Sequence, residues 1–437
     1  MSGSPRPAAV RASAPAREVG RARWAVTLAF LTNGALFGAL IPHYPEAKAA
    51  FGLGAGEFGL LVVSLMLGAV LTGSLPAPIL RRVGSRRVVL AGTLALAVLV
   101  TLAGLAVDFA AAARADGAAV WDGFVWLFAG LLFVSGLGDA IVDTAQNAQG
   151  IRVQTVIGRP VLTSMHAGWS IGAAGGAGLG ALAVGAGLPM ALHLVLNGAA
   201  CAAVVLVVHR RFLPDAPDPL PDDGPSPAAE AVASESSSPS EGSAGAPAGP
   251  TRARAYLALV PVILVAMAGF GVEEFGNAWT SLFLQTERGL DPAVAGLGAS
   301  TLLAAQFAGR LAGDRVLAAW GRRRTLTVSL GAVVLGLGAV LLSPAVPVIV
   351  AGLVLCGLGC AVVVPTAYAL GDEVPGLPPQ TGLAVVSWLM RLAGIGLSPL
   401  VGLLAVGLPL AVALLVFPVL AAAGLLCTVA LRARTLA

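Results

Sequence analysis

The sequence predicts an all-α membrane protein with twelve transmembrane helices in two pseudo-symmetric six-helix bundles. Composition is the first observation behind this prediction. Hydrophobic residues make up 57% of the 437-residue chain, charged residues make up 11%, and the mean hydropathy is +0.89. A soluble domain carries about 25% charged residues, which it needs to cover its surface. The composition therefore excludes a soluble enzyme and a disordered chain.

The second observation is a series of apolar runs, each near the roughly 20 residues that a helix needs to cross the hydrocarbon core. Twelve such runs lie at 24–42, 57–80, 88–108, 123–145, 161–184, 188–208, 256–284, 293–314, 325–344, 346–369, 382–406 and 409–431. Residues 24–209 are predicted to form the N-terminal bundle and residues 255–431 the C-terminal bundle. Residues 432–437 form a short tail.

Two segments are expected to lie outside the helices. Residues 1–23 are rich in Pro, Ala and Arg, and residues 210–254 are rich in Pro, Ser, Gly and acidic residues with little to bury. Both are predicted to be disordered, the second as a linker between the bundles. The linker's composition suits a passive tether as well as a regulatory segment.

The distribution of basic residues predicts the orientation. Of the 26 lysines and arginines, 21 lie in the two termini, the linker and the loops on the same side of the predicted bundle. Lys48, Arg114 and Arg288 lie in loops on the other side. Loops that are rich in arginine remain in the cytoplasm. The sequence therefore predicts a plasma-membrane protein with both termini in the cytoplasm.

The third observation is an internal repeat. Gly59 and Gly84 are 25 residues apart and bracket the second run and its basic loop, and Gly296 and Gly321 have the same spacing around the eighth. Glycine permits a tight reversal, and arginines bind the anionic membrane face. We expect these two loops to form part of a cytoplasmic gate, with contributions from Arg82, Gly84, Arg86, Gly321 and Arg323.

With these loops, the chain resembles the major facilitator superfamily and, more locally, its YbjJ-like branch, which is related to fucose-permease-type carriers. The branch resemblance rests on three stretches: Asp143-x-x-x-Asn147-x-x-Gly150, Val161-Leu162-Thr163-Ser164-Met165-His166 and Glu273-x-x-x-Asn277-x-Trp279. It implies transport by alternating access. The chain departs from the family loop, which has an acidic residue three places before its second glycine, because Arg81 and Ala318 stand there.

The fourth run carries a polar stripe. Asp139, Asp143 and Asn147 recur every four residues and so share one helical face. Ionisable groups within spans cost about 2.5–3.5 kcal/mol on insertion scales and usually face a cavity or a partner. We expect this stripe and Asn33 of the first run to line a substrate cavity. Wetting of Asp139 and Asn147 by lipid headgroups is the alternative.

The seventh run contains adjacent carboxyl groups at Glu273 and Glu274. Glu273 and Asn277 share a helical face, and Trp279 follows. Glu273 and Asp143 are the predicted proton-coupling groups, while Asn277 and Trp279 are predicted substrate contacts. An ion pair that only joins helices is the alternative for Glu273.

Four further charged or titratable residues need partners within the bundle. His166 of the fifth run is a candidate proton relay, although a backbone carbonyl could equally satisfy its ring. Arg391 of the eleventh run needs a carboxylate, and Asp143 and Glu273 are the candidates. Arg310 and Asp314, at the end of the eighth run, are predicted to take part in an ion pair between the two halves that breaks when the cytoplasmic gate opens. A solvated helix end is the alternative.

The functional expectation is a secondary transporter of a small solute. The chain has no Walker-type phosphate-binding motif, and its four cysteines lie in apolar runs without a metal-site pattern. We therefore expect no catalytic residue, metal or cofactor, only a proton gradient, and no nucleic-acid partner. Proton-coupled symport of a sugar-like solute by a monomer in the lipid bilayer is the main hypothesis. Proton-antiport efflux of a drug or metabolite and a non-transporting receptor are the alternatives.

Overall fold

The computed structural model describes residues 16–214 and 252–430, and the regular structure in these two ranges is helical. In the first half, the first span is Ala16–Gly38 and is followed by the short helix Tyr44–Phe51. The second span is bent and consists of Ala55–Leu71 and Pro76–Val83. The remaining spans of this half are Ser85–Ala115, Gly123–Ile157, Leu162–Gly185 and Met190–Val208.

The second half repeats this arrangement. The seventh span consists of Arg252–Glu274, a π-helical segment Phe275–Trp279 and Thr280–Thr286. The eighth and ninth spans lie within Pro292–Leu342. The tenth consists of Val346–Cys360 and Val363–Asp372, the eleventh is Thr381–Gly407, and the twelfth consists of Leu410–Ala413 and Val416–Ala430.

The predicted fold class is confirmed. Ten helices of the described ranges are long and apolar enough to cross a membrane, and the bent pair of the second span adds an eleventh. One of the ten, Val294–Leu342, has 49 residues. At 1.5 Å per residue it is more than twice as long as the roughly 30 Å hydrocarbon core, so it comprises two spans. The described ranges thus contain twelve spans.

Two predicted boundaries are corrected. The first helix begins at Ala16, within the tail predicted to be disordered up to residue 23, because Val19 and Ala22 are buried. At the other boundary, Phe212 and Leu213 are buried, and Gln149 Nε2 donates to the Leu213 carbonyl at 3.1 Å. Ordered chain therefore extends beyond residue 210. Residues 1–15, 215–251 and 431–437, including most of the predicted linker, lie outside the described residues.

The second glycine of each repeat copy interrupts the helix there, as a tight reversal requires. Gly84 has a φ of 90° and separates the second span from the third. Gly321 has a φ of 76° and a ψ of 161° and separates the eighth span from the ninth. L-amino acids rarely adopt these values, so glycine is required at both turns. We call the end of the bundle that holds these two turns and their arginines the basic end.

Close packing of the first and fifth spans positions part of the site. A Cβ atom at Gly34 would lie 2.2 Å from the Trp169 carbonyl oxygen, so only glycine permits this approach. Small residues commonly allow such close contact between transmembrane helices. The packing brings Asn33, which precedes Gly34, beside Trp169.

Replacement of Gly321 by alanine should destabilise the protein by about 1–3 kcal/mol through backbone strain. A Cβ atom would meet nothing within 4 Å at Gly321 or at the helical Gly331, so Gly331→Ala is the matched control. Alanine favours a helix interior, and the control should be neutral or stabilising. Thermal unfolding in detergent measures both, and equal effects would contradict the role of positive φ.

Candidate functional site

A cavity of about 480 Å³ lies between the two halves. The first half lines it with Phe30, Asn33, Phe37, Val62, Val63, Leu65, Met66, Ala69, Gly136, Asp139, Asp143, His166 and Trp169. The second half contributes Phe270, Glu273, Arg310, Val364, Tyr368, Met390 and Arg391. The cavity therefore combines aromatic and aliphatic walls with five charged side chains. This composition suits a small solute that has both polar and apolar surface.

Arg391 bridges the two halves in this cavity. Its NH1 donates to Asp139 Oδ2 at 3.1 Å, and its NH2 donates to Asp143 Oδ2 at 2.9 Å. All three side chains are at least four-fifths buried. The sequence left Asp143 and Glu273 open as partners, and the structure places Asp143, together with Asp139, against the guanidinium.

Asn33 and Trp169 orient the Asp139 side of this cluster. Asn33 Nδ2 donates to Asp139 Oδ1 at 3.0 Å, and Trp169 Nε1 donates to Asn33 Oδ1 at 2.9 Å. The indole N–H can only donate, so it fixes the orientation of the Asn33 amide. Both oxygens of Asp139 thus act as acceptors.

Asn147 and His166 form the hydrogen bonds on the Asp143 side of the Asp139–Arg391–Asp143 cluster. Asn147 Nδ2 donates to Asp143 Oδ1 at 3.1 Å, while Asn147 Oδ1 lies 3.0 Å from His166 Nε2. Because that amide oxygen can only accept, His166 Nε2 carries a proton. Asn147 is buried behind the cavity wall and His166 lines the cavity. The predicted polar stripe and His166 are therefore brought together.

Glu273 is held by a different arginine. Its Oε1 accepts bonds from Gln306 Nε2 at 2.5 Å and from Arg310 NH2 at 2.7 Å. Arg310 NH1 also donates to Ser170 Oγ of the first half at 2.7 Å. Arg310 is only 7% exposed and lines the cavity. Arg310 therefore pairs with a carboxylate of its own half in the middle of the bundle, and not with a partner across the cytoplasmic gate as the sequence predicted.

The structure does not place Asn277 and Trp279 in the cavity. Both lie in the π-helical segment, whose wider turns change the direction of successive side chains, so the four-residue spacing from Glu273 no longer defines one face. Asn277 is exposed. Trp279 Nε1 donates to Ser398 Oγ at 3.1 Å, and Ser398 Oγ donates to Glu274 Oε1.

Asp314 joins the halves at the basic end through backbone groups. Its two carboxylate oxygens accept bonds from the Thr163 and Ser164 amides, each at 3.1 Å. These amides begin the fifth span, where unpaired N–H groups and the helix dipole favour a negative charge. Asp314 thus contacts the other half as a gate residue would, but it binds a helix end instead of an arginine.

The other loop copy joins the halves through Arg81. Its NH1 donates at 3.2 Å to both the Pro379 carbonyl and Thr381 Oγ1, at the start of the eleventh span. Nearby, Trp388 Nε1 donates to the Val70 carbonyl at 2.8 Å. The predicted gate arginines Arg82 and Arg323 are exposed, and Arg86 is half-buried, in the same two loops.

Among the polar side chains that form hydrogen bonds at the site or the basic end, the sequence analysis missed Trp169, Ser170, Gln306 and Arg81. Gln306 had a detectable signal, since it stands four residues before Arg310 in an apolar helix and shares its face. Within 16–214 and 252–430, no group of three or more His, Cys, Asp or Glu side chains is placed to hold a metal ion.

Removal of the Arg391 guanidinium should leave two buried aspartates without their cation. We expect Arg391→Met to destabilise the protein by about 3–5 kcal/mol, and Asp143→Asn in that background to restore part of the loss. Arg322→Met is the control, because the Arg322–Glu373 pair is more exposed and should contribute less than about 1 kcal/mol. Thermal unfolding tests this, and similar losses for both arginines would contradict it.

Loss of the Asp314 carboxylate should loosen the basic end. Thr366 is buried there beside Thr163, so a cysteine in its place reports opening through maleimide labelling. We expect Asp314→Ala to accelerate labelling roughly tenfold, since two charge-assisted hydrogen bonds are lost. Glu373→Gln, at the same end, should not. An unchanged rate in Asp314→Ala would show that this contact does not keep the end closed.

Comparisons with known proteins place the chain in a family. The family model described as Major Facilitator Superfamily matches residues 26–384. An uncharacterized transporter of Sinorhizobium fredii, y4wD, is 27% identical over 381 residues, which cover 87% of this chain and 90% of the relative. An uncharacterized MFS-type transporter of Yersinia pestis is 26% identical over 368 residues, which cover 82% and 83%.

Solved structures share the fold. FucP in the outward conformation has a TM-score of 0.65 at 15% identity, covering 93% of this chain and 97% of FucP. The proton:xylose symporter XylE bound to 6-bromo-6-deoxy-D-glucose has a TM-score of 0.62 at 13% identity, covering 94% and 95%. These relatives are transporters and not enzymes, and the family match extends over most of the sequence. The chain belongs to the Major Facilitator Superfamily of membrane transporters.

Proposed function

We propose that this transporter moves a small, neutral, sugar-like solute together with a proton, through the cavity between its halves. The observation that carries the proposal is the charge of that cavity. Three carboxyl groups, at Asp139, Asp143 and Glu273, face two guanidinium groups, at Arg310 and Arg391. One negative charge is therefore left without an arginine, and a proton would neutralise it.

The excess charge belongs to the Asp139–Arg391–Asp143 cluster. Glu273 has its own arginine in Arg310 and a second donor in Gln306, so its charge is compensated. Arg391 is shared by two aspartates. Two carboxylates that share one cation favour binding of a proton to one of them. We propose that the cluster carries one proton for each solute, with Asp143 as the coupling residue and Glu273 in a binding role.

The cavity walls support a polyhydroxylated solute. Glu273 lines the cavity and both of its hydrogen bonds end on Oε1, so Oε2 remains available as an acceptor for a hydroxyl group. Aromatic side chains of Phe30, Phe37 and Phe270 line the same space. Solved structures with this fold include a fucose:proton symporter and a proton:xylose symporter, and we carry their solute class to this chain as part of the proposal.

The excess negative charge also favours a second candidate, proton-antiport efflux of a cationic drug or metabolite. A cation could replace the proton at the same aspartates. The architecture would be unchanged, and the direction of proton movement distinguishes the two functions.

We further propose that the basic end faces the cytoplasm of the plasma membrane. The bias of the arginines toward this end supports that orientation. The contacts of Asp314 and Arg81 then close the cytoplasmic side, so the described conformation corresponds to an outward-facing state of the alternating-access cycle.

Proteoliposomes with a pH-sensitive dye in the lumen test the proposal. Addition of neutral monosaccharides outside, with fucose and xylose among them, should acidify the lumen. We expect Asp143→Asn to abolish this signal yet retain exchange of radiolabelled sugar across the membrane, because exchange needs no net proton movement. Glu273→Gln should lose both activities if it binds the solute. Glu18→Gln, which changes an exposed carboxyl outside the cavity, is the control.

Each other outcome assigns a different function. Proton release from the lumen on addition of a lipophilic cation would support the efflux candidate. Proton coupling that survives in Asp143→Asn and is lost only in Glu273→Gln, with exchange retained, would move the coupling site to Glu273. Sugar transport without proton movement in the unmodified protein would contradict coupling altogether.

A further inference from the structure

A fourth carboxyl group in the middle of the bundle takes no part in the site described above. Glu274 is half-buried in the seventh span and does not line the cavity. Its Oε1 accepts a hydrogen bond from Ser398 Oγ of the eleventh span. A carboxyl group within a span is costly and is usually functional. Its contacts therefore suggest a role distinct from that of Glu273.

Glu274 and Trp279 flank one irregular segment and bind the same hydroxyl group. Glu274 directly precedes the π-helical segment Phe275–Trp279, and Trp279 ends it. Trp279 Nε1 donates to Ser398 Oγ at 3.1 Å. The indole can only donate, so the Ser398 hydroxyl proton is free to point to Glu274. Ser398 of the eleventh span is thus hydrogen-bonded to the residues at both ends of the π segment.

Both helices have interrupted hydrogen bonding at this contact. The π segment is the only one in residues 16–214 and 252–430, and such segments frequently occur at functional sites. On the eleventh span, Pro399 follows Ser398 within the helix and has no N–H to donate. The contact therefore joins two helices where each bends most easily.

Among the residues that the structure describes, Glu274 has no ion-pair partner. On its own helix, Glu273 is bonded to Arg310, and on the eleventh span, Arg391 is bonded to Asp139 and Asp143. Apart from cysteines, the twelfth span has no ionisable residue, and the tenth has Tyr368 and Asp372. Ser398 is thus the group that responds to the charge of Glu274.

We propose that Glu274, Ser398 and Trp279 form a proton-sensitive latch that controls the bend of the seventh span at its π segment. Ionised Glu274 accepts a charge-assisted bond from Ser398, which is stronger than a bond to the neutral acid. The latch is closed when Glu274 is ionised and loosens when it binds a proton. Loosening lets the outer segment Thr280–Thr286 move relative to Arg252–Glu274. The latch does not depend on the solute or the coupling site proposed above.

Cysteine labelling without any solute tests the latch. Leu284 is buried in the outer segment, so Leu284→Cys reports its opening, with the unmodified chain as the blank for the native cysteines. The labelling rate is measured from about pH 8 to about pH 4. We expect the rate to rise about fivefold as the pH falls, because the charged bond is lost.

Three variants make the result specific. Glu274→Gln and Ser398→Ala should label at the faster rate throughout the pH range, whereas Glu287→Gln, a carboxyl change at the end of the same segment, should keep the pH dependence. A rate that does not vary with pH in the Leu284→Cys protein, or a pH dependence that persists in Glu274→Gln, would overturn the proposal. Size-exclusion chromatography confirms folding, and Ser398→Ala decides the question if Glu274→Gln does not fold.

Discussion

The arrangement of the site depends on one guanidinium group that is shared by two carboxylates across the interface of the halves. Arg391 belongs to the second half, and Asp139 and Asp143 belong to the first. In an apolar bundle, none of these charges is stable without the others. The remaining polar contacts follow from this constraint, since Asn33 and Asn147 each satisfy the aspartate oxygen that Arg391 leaves open. The halves are therefore held together by a contact that addition of a single proton would weaken.

The two copies of the basic-end loop perform the same task with opposite chemistry. In the second half, Asp314 places a carboxylate at the amides that begin the fifth span. In the first half, Arg81 binds a carbonyl and a hydroxyl at the start of the eleventh span. Both loops therefore hold the start of a helix from the other half. Arg81, where the chain departs from the family loop, therefore contacts the other half as a hydrogen-bond donor.

The sequence predicted those features that depend on helical periodicity alone. The twelve spans, the shared face of Asp139, Asp143 and Asn147, and the glycine turns follow from spacing and from the low cost of positive φ at glycine. It failed where periodicity changes or where the partner is a backbone group. The π segment turned Asn277 and Trp279 away from the predicted face. The groups that bind Asp314 are backbone amides, which nearly every residue type has, so the sequence does not mark them. Arg310 was misplaced because its partners, Glu273 and Ser170, come from two other spans.

The position of the charges bears on how a proton could drive movement. Arg391, Arg310 and their partners lie at the level of the cavity, whereas Asp314 and Arg81 lie at the basic end. At the basic end, the partners of Asp314 and Arg81 are backbone amides, a carbonyl and a hydroxyl. In the cavity, the bridge from Arg391 to Asp139 and Asp143 has ionisable groups on both sides of the interface between the halves. Protonation would therefore act first on the bridges in the cavity, and the basic end would open as a consequence of the halves' rotation. Coupling of proton and solute movement would then depend on the cavity residues. The basic-end contacts would set the free energy that binding of the proton and solute must supply to open that end.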